Sequence, residues 1–531
     1  MNTKLTGRSL AGDCTTSDTG STFNGVNPVT GDKLEPPYVG ISASDVEGIA
    51  QQAAQAFAAY RAKSGKEKAI FLRTIADNIE GAVEDLVERM PAETALPEPR
   101  VRGEAGRTMG QLRMFADLIE KGSWVDARID HANPDRQPLP KPDVRSMLHP
   151  LGPVVVFCAS NFPLAFSVAG GDTASALAAG CPVIVKAHHS HPGTAEIVGQ
   201  CVKHAVESCG MPTGTFTLVY GSGREIGTAL VKQSEIKAVG FTGSRAGGTS
   251  LMKIASDRPA PIPVYAEMSS VNPVLILSEA LKANGEQIAT GLAGSVTMGM
   301  GQFCTNPGLV LLPAGAEAEA FAATLKGALE AAADGCLLNS GIADAYRDAM
   351  KARDRLNADG VEVLLSRPGD AADACKVGPA LQKVTAQAFL NNPVLAEEAF
   401  GPATTLVTFQ NEIELMQVIE AQEGQLTGTI HGTDNDIANA PAEIDALGEK
   451  VGRLIYGGFP TGVEVCPAMV HGGPFPSTSD GRSTSVGTMA IQRFTRAISY
   501  QNAPQSQLPD ELKDANPLGV SQLIDGNLTT G

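Results

Sequence analysis

The segments Gly152-Pro-Val-Val-Val-Phe-Cys-Ala-Ser-Asn-Phe-Pro163 and Cys181-Pro-Val-Ile-Val-Lys-Ala-His-His-Ser-His-Pro192 decide the reading of this chain. In each, a proline-led run of β-branched residues gives way to small and polar ones, as a buried strand does on leaving a sheet. Helical patterns follow both runs. A strand over 153–157 precedes a helix over 167–179, 182–186 precedes 193–208, 215–220 precedes 224–232, 236–241 precedes 246–255, and a strand over 263–266 closes the series. Apolar strands alternating with helices predict right-handed crossovers and an α/β fold, a parallel sheet covered by helices on both faces. Ligands in such sheets bind outside the carboxyl ends of the strands, so the loops after Phe157, Lys186, Tyr220 and Phe241 are the places to search.

Working outward, 44–61 and 66–90 carry apolar residues at helical spacing, among them Ile70, Leu72, Ile75, Ile79 and Val83, and a third helix is expected over 104–121. Residues 131–146 hold four prolines among polar residues, which fits an extended arm. A second α/β region is expected over 269–480, with helices at 316–333 and 343–357, and from about residue 504 the chain reads as a polar surface tail.

Composition narrows the function. The 531 residues suffice for two or three domains, and 43% hydrophobic with 19% charged residues describes a folded globular protein. Lys+Arg 41 against Asp+Glu 58 leaves a net charge of −17, which argues against nucleic acid or an anionic membrane as partner. The first 20 residues are polar and no apolar run reaches spanning length, so neither secretion nor membrane insertion is expected. Nine scattered cysteines without a CxxC spacing predict no disulfide framework or zinc ribbon, and the expected setting is the reducing cytoplasm.

Several residues can carry chemistry, each with a plainer alternative. Asn161 is either a turn residue or a side-chain N–H donor to an oxyanion at the sheet edge. Lys186, emerging from a buried strand, can hold ribose hydroxyls or a phosphate. His188, His189 and His191 lack a carboxylate or cysteine at ligand spacing, so no metal site is expected. Gly221-Ser-Gly223-Arg224-Glu-Ile-Gly227 fails the dinucleotide fingerprint by one position, though Arg224 can grip a phosphate. Ser244 precedes a helix whose N–H groups can do the same. Cys304, between Gly299-Met-Gly-Gln302 and Thr-Asn-Pro307, is presented on irregular backbone as a nucleophile would be, whereas the other eight cysteines read as small buried hydrophobes. Glu267 closes a buried strand, so it is either paired with a cation or raised to act as a base. Glu397-Glu398-Ala-Phe400 reads only as an acidic helix end.

In this order, Asn161, Lys186, Phe241-Thr-Gly-Ser244, Glu267, Cys304 and Glu398-Ala-Phe400-Gly-Pro402 resemble the aldehyde dehydrogenase superfamily over about residues 25–505. Gly103-Glu-Ala-Gly-Arg107-Thr, Met469-Val-His471-Gly-Gly-Pro-Phe-Pro and Arg482-Ser-Thr-Ser-Val486-Gly-Thr are similar to its α-ketoglutarate semialdehyde (2,5-dioxopentanoate) branch, close to NADP-preferring fatty-aldehyde dehydrogenases. The resemblance implies oxidation of an aldehyde to an acid through a thiohemiacetal and a thioester on Cys304. Asn161 and the Cys304 amide would hold the oxyanion, and Glu267 would activate water. It implies that Lys186 and Glu398 bind ribose, that Ser244 binds phosphate and that Phe400 packs near the nicotinamide. It implies a Rossmann-type cofactor domain over 1–130 and 151–268, a catalytic domain over 269–480, an oligomerisation arm over 131–150 and 481–510 with a tail over 511–531, and a homodimer or homotetramer.

Three departures carry information. His189 stands where NAD-preferring members have a glutamate, and Arg224 occupies the place of a 2′-phosphate grip, so NADP is expected alongside or ahead of NAD. Met268-Ser269-Ser270 replaces the usual leucine-glycine-glycine after the base. Ser160 replaces a bulky aromatic before Asn161. Arg107 and Phe162 are the candidate substrate contacts. Arg107 either pairs with the far carboxylate of a short oxo-acid semialdehyde or with Glu104 at helical spacing. Hydrolysis, transfer to coenzyme A, oxidation of fatty or other aliphatic aldehydes, and a non-catalytic role for the fold are the readings left open.

Overall fold

The computed structural model describes residues 4–17, 20–370, 372 and 374–530, so parts of the polar N-terminus lie outside the described residues. Five parallel strands form the first sheet, in the order Phe216–Val219, Val183–Lys186, Val154–Phe157, Ala238–Thr242, Val264–Glu267. The first three are apolar on both faces because both are covered. Val154, Val156, Val183 and Val185 pack toward the helices Gly171–Ala179 and Pro192–Ser208, while Val155, Phe157 and Ile184 pack toward Asp45–Arg61 and Glu225–Lys232. The chain starts at Val154–Phe157 and winds first to one side, then to the other. Its carboxyl edge therefore gathers Asn161, Lys186, Ser244 and Glu267 at the switch point.

The second sheet has seven strands, ordered Val361–Ser366, Ala380–Thr385, Ala403–Phe409, Leu309–Pro313, Val274–Ile276, Gln425–His431, Val451–Tyr456. All neighbours run parallel except the first pair.

Local boundaries differ from expectation for identifiable reasons. The pattern over 66–90 is two helices, Gly65–Glu80 and Val83–Thr94, parted at Gly81-Ala82. The helix expected from 104 begins at Glu98, with Pro99 in its first turn, where a missing N–H costs nothing. The segment before Glu398 is a 3₁₀ turn, Pro393–Ala396, not an acidic helix end.

The arm is also drawn differently. A five-stranded sheet runs Thr495–Gln501, Val144–Pro150, Ala127–Asp130, Gln522–Ile524, Asn527–Thr529. The stretch expected as a tail thus contributes two strands, and Ala127–Asp130, from the stretch expected as part of a cofactor domain, pairs with the first of them. Residues 484–494 lie instead against the core: Ser485 reaches Glu267, and Thr488–Phe494 packs on Gly171–Ala179. Among the described residues, no helix is long and apolar enough to cross a membrane.

Candidate active site

Cys304 stands just beyond a break in the chain. The helix Ser278–Thr297 ends, and Gly299, Met300 and Gly301 follow with φ of 56°, 58° and 66°, the left-handed region. Gly301 has no substitute there, since a methyl group would collide with the Gly401 carbonyl. Buried Asn272 fixes the loop beyond it. Its Nδ2 donates to the carbonyls of Cys304 (2.8 Å) and Asn306 (2.9 Å), and its Oδ1 accepts from Ser270 (2.9 Å) and Thr427 (3.1 Å). Asn272 lies five residues after Glu267, so one segment carries the carboxylate and anchors the thiol.

Glu267 ends the last strand of the first sheet, buried, and two side chains hold its carboxylate. His471 Nε2 lies 3.1 Å from Oε1, and Ser485 Oγ donates to Oε2 at 2.8 Å. Burial pushes this carboxyl up, but the His471, Ser485 and Cys304 contacts outweigh it and hold it below the usual range. An ionised carboxylate only accepts, so His471 carries its proton on Nε2. The same Nε2 is 3.4 Å from Cys304 Sγ. Burial and the neighbouring Glu267 charge raise the Cys304 thiol well above its ordinary value, and the thiol hydrogen-bonds that carboxylate. Nucleophile, base and imidazole thus form one cluster.

Asn161 donates from Nδ2 to the Gln302 carbonyl at 3.0 Å, and Gln302 Oε1 accepts from the Leu338 amide at 3.0 Å. The amide therefore faces the nucleophile's loop. A cavity of about 240 Å³ opens onto Cys304, with Arg100, Arg107, Phe162, Phe303 and His471 among its walls. Phe162 and Phe303 meet edge-on, with centroids 5.4 Å apart and ring planes at 90°. Glu104 does not pair with Arg107. It is buried, binds Arg100 at 3.2 Å, and accepts the Leu164 (2.8 Å) and Ala165 (3.0 Å) amides. The Arg107 guanidinium donates to the Val463 carbonyl, makes no ion pair among the described residues, and leaves its Nε without a partner.

The residues expected to hold a nucleotide follow the strands of the first sheet or lie around Glu398. Lys186 is buried at the end of its strand, and burial lowers its ammonium to about 8. Neither Lys186 nor exposed Arg224 makes an ion pair among the described residues. Ser244 caps the helix Arg245–Ser256 by accepting from the Gly247 amide at 3.2 Å. His189 is exposed and stacks on His188 at 4.4 Å. Glu398 approaches the Ser270 amide at 3.5 Å, and burial lifts its carboxyl to about 7. Phe400 borders a small cavity together with Glu398, Ser270 and Phe303. An unpartnered buried ammonium, a free guanidinium and a helix N-terminus at a sheet's switch point fit a dinucleotide with phosphates.

Sequence reasoning missed Arg100, Asn272, His471 and Ser485 as site residues. The motifs holding the last two were read only as marks of a branch, with no signal that both converge on Glu267.

The family model described as "Aldehyde dehydrogenase family" matches residues 15–454. The chain is 50% identical over 526 residues to "Alpha-ketoglutaric semialdehyde dehydrogenase 2" of Azospirillum brasilense, covering 98% of this chain and 99% of that one. It is 46% identical over 487 residues to "Alpha-ketoglutaric semialdehyde dehydrogenase" of Acinetobacter baylyi, covering 91% of each. In fold it resembles a betaine aldehyde dehydrogenase variant of Staphylococcus aureus solved with NAD+, with a TM-score of 0.79 at 21% identity, covering 95% of this chain and 98% of that one. By its sequence, its fold and the order of its motifs, this chain belongs to the aldehyde dehydrogenase family.

Proposed function

We propose that the protein oxidises a short 2-oxo-acid semialdehyde, α-ketoglutarate semialdehyde, to the corresponding dicarboxylate, with NADP preferred over NAD. The observation that carries the substrate reading is Arg107: a half-buried guanidinium in the Cys304 cavity with no carboxylate partner of its own. A fork of donors there suits the far carboxylate of a four- or five-carbon aldehyde acid better than an alkyl chain. The names of the two curated relatives agree with this reading.

The chain's own groups supply most of the chemistry. Glu267 takes the thiol proton across the Cys304 hydrogen bond, and His471 Nε2–H stabilises the thiolate that remains. Sγ then bonds to the aldehyde carbon. An amide has two N–H donors, and the one that Asn161 does not use on Gln302 serves the developing oxyanion together with the Cys304 amide. Bound NAD(P) supplies the two-electron acceptor that converts the thiohemiacetal into a thioester. Glu267 passes the thiol proton to solvent and, still held by His471 and Ser485, draws a proton from water, whose oxygen attacks the thioester carbon. As the C–S bond breaks, that proton moves from Glu267 to the departing sulfur, releasing the acid and the thiol. A retained base favours free acid over transfer to coenzyme A.

Lys186 and Glu398 would bind ribose hydroxyls, Ser244 a phosphate, and Phe400 would pack beside the nicotinamide. Arg224 and the absence of a carboxylate at His189 favour a 2′-phosphate. The arm sheet supports assembly into a dimer or tetramer, and nine free thiols suit the cytoplasm.

The test is a panel of acidic, aliphatic and aromatic aldehydes, each assayed with NAD and with NADP and with the product identified. Higher kcat/KM for acidic semialdehydes, NADP ahead of NAD and free acid as product are expected. A preference for long neutral aldehydes refutes the substrate reading, and equal kcat/KM for the two nucleotides refutes the preference.

A further inference from the structure

The ligand-bearing atoms of Glu267, Cys304 and His471 all lie within 4.8 Å of one another. Nε2 is 3.4 Å from Sγ and 3.1 Å from Oε1. At the usual zinc bond lengths of about 2.0–2.3 Å, two ligands of a tetrahedral site stand roughly 3.3–3.6 Å apart. The two edges at Nε2 are thus already close to those of such a site, and the third, from Sγ to a carboxylate oxygen, is no longer than 4.8 Å. They offer a thiolate, an imidazole and a carboxylate, a donor set that suits zinc and excludes magnesium or calcium.

We propose that this cluster is also a reversible zinc-binding site that silences the enzyme. Three protein ligands leave a fourth position, which faces the cavity that Cys304 and His471 line and through which the ion would enter. The carboxylate is already oriented by a bond to its other oxygen, the Ser485 hydroxyl, which gives a bound metal an outer support. On binding, the thiol loses its proton to solvent and the ring proton moves from Nε2 to Nδ1, freeing the Nε2 lone pair; no electron is transferred. Buried Nδ1 has no hydrogen-bond partner, so this tautomer carries a cost that keeps the ion exchangeable. Metal and aldehyde compete for one sulfur.

The expectation that the chain holds no metal was drawn from the cysteine spacing and from His188, His189 and His191, and those three rings provide the control. Nothing in the zinc proposal requires a particular aldehyde. Zinc uptake by the full-length protein, without substrate or cofactor, is measured against a chromophoric chelator. Cobalt(II) is used in parallel for the thiolate-to-metal absorption band.

One ion per chain is expected, with affinity falling more than about tenfold in C304S and in H471N, variants checked for folding by circular dichroism. The cobalt band should vanish in C304S, and H188N with H189N should bind as the wild type does. Added zinc should inhibit aldehyde oxidation competitively with aldehyde, and EDTA should restore it. Uptake that survives C304S and H471N, or is lost only in the histidine-loop variant, overturns the proposal, as does the absence of stoichiometric uptake. Failure of the substrate reading leaves these binding results untouched.

Discussion

Glu267 is the residue on which the site's electrostatics turn. Its charge and its hydrogen bond are two causes, after burial, of the raised Cys304 thiol. Replacing it by glutamine removes the charge and lowers that thiol's pKa, so the resting enzyme should hold more thiolate at neutral pH. The expected result is faster alkylation of Cys304 by iodoacetamide at pH 7 in E267Q, although turnover is lost; slower alkylation contradicts the assignment. Asn272 gives a second prediction at this scale. Truncation to alanine strips partners from the part-buried Cys304 carbonyl, the buried Asn306 carbonyl and the Thr427 hydroxyl, and should cost about 1–3 kcal/mol, read as a lower urea midpoint. Cys304, Glu267 and Asn161 were legible as reactive types in telling positions. Asn272 was not, because apart from Ser270 the partners of this buried asparagine lie 32 to 155 residues away and leave no local trace.

At the scale of elements, the helix Glu98–Lys121 places Arg100, Glu104 and Arg107 at i, i+4 and i+7, one stripe facing the cavity. Arg100 spends its charge on Glu104 and stacks over Phe162 (4.4 Å) and Phe303 (4.9 Å), while Arg107 donates to the Val463 carbonyl and has no ion-pair partner among the described residues. Arg107→Ala should therefore raise KM for acidic aldehydes about tenfold and leave that for neutral ones unchanged; Lys at this position should recover only part. An unchanged KM for the acidic series removes Arg107 from the substrate site. Placing the helix start at 104 hid Arg100, since the helix begins at Glu98, capped by Pro97 and with Pro99 in its first turn. The strand ending in Lys186 yields a pH prediction. Burial lowers its ammonium to about 8, so nucleotide binding should be full below that pH and weaken as pH rises through it. Titrated dissociation constants from pH 7 to pH 10 check the sign.

For the whole molecule, the strand-helix rhythm of 153–266 was plain in the sequence because each unit is local, whereas the arm was not. Thr495–Gln501 pairs with Val144–Pro150, and Gln522–Ile524 pairs with Ala127–Asp130, hundreds of residues apart. A polar C-terminus gives no sign of such partners. The arm's outer strands, Thr495–Gln501 and Asn527–Thr529, present unpaired edges that favour assembly. Light scattering should return a multiple of the single-chain mass, and a monomer at micromolar concentration refutes the oligomer.

The double grip of His471 and Ser485 on Glu267 also bears on time. To swing aside, the carboxylate would have to give up both bonds, at roughly 1 kcal/mol or more apiece. Hydrolysis of the acyl enzyme should then wait on no rearrangement of the base. Its rate should be indifferent to added viscogen and show no lag after rapid mixing.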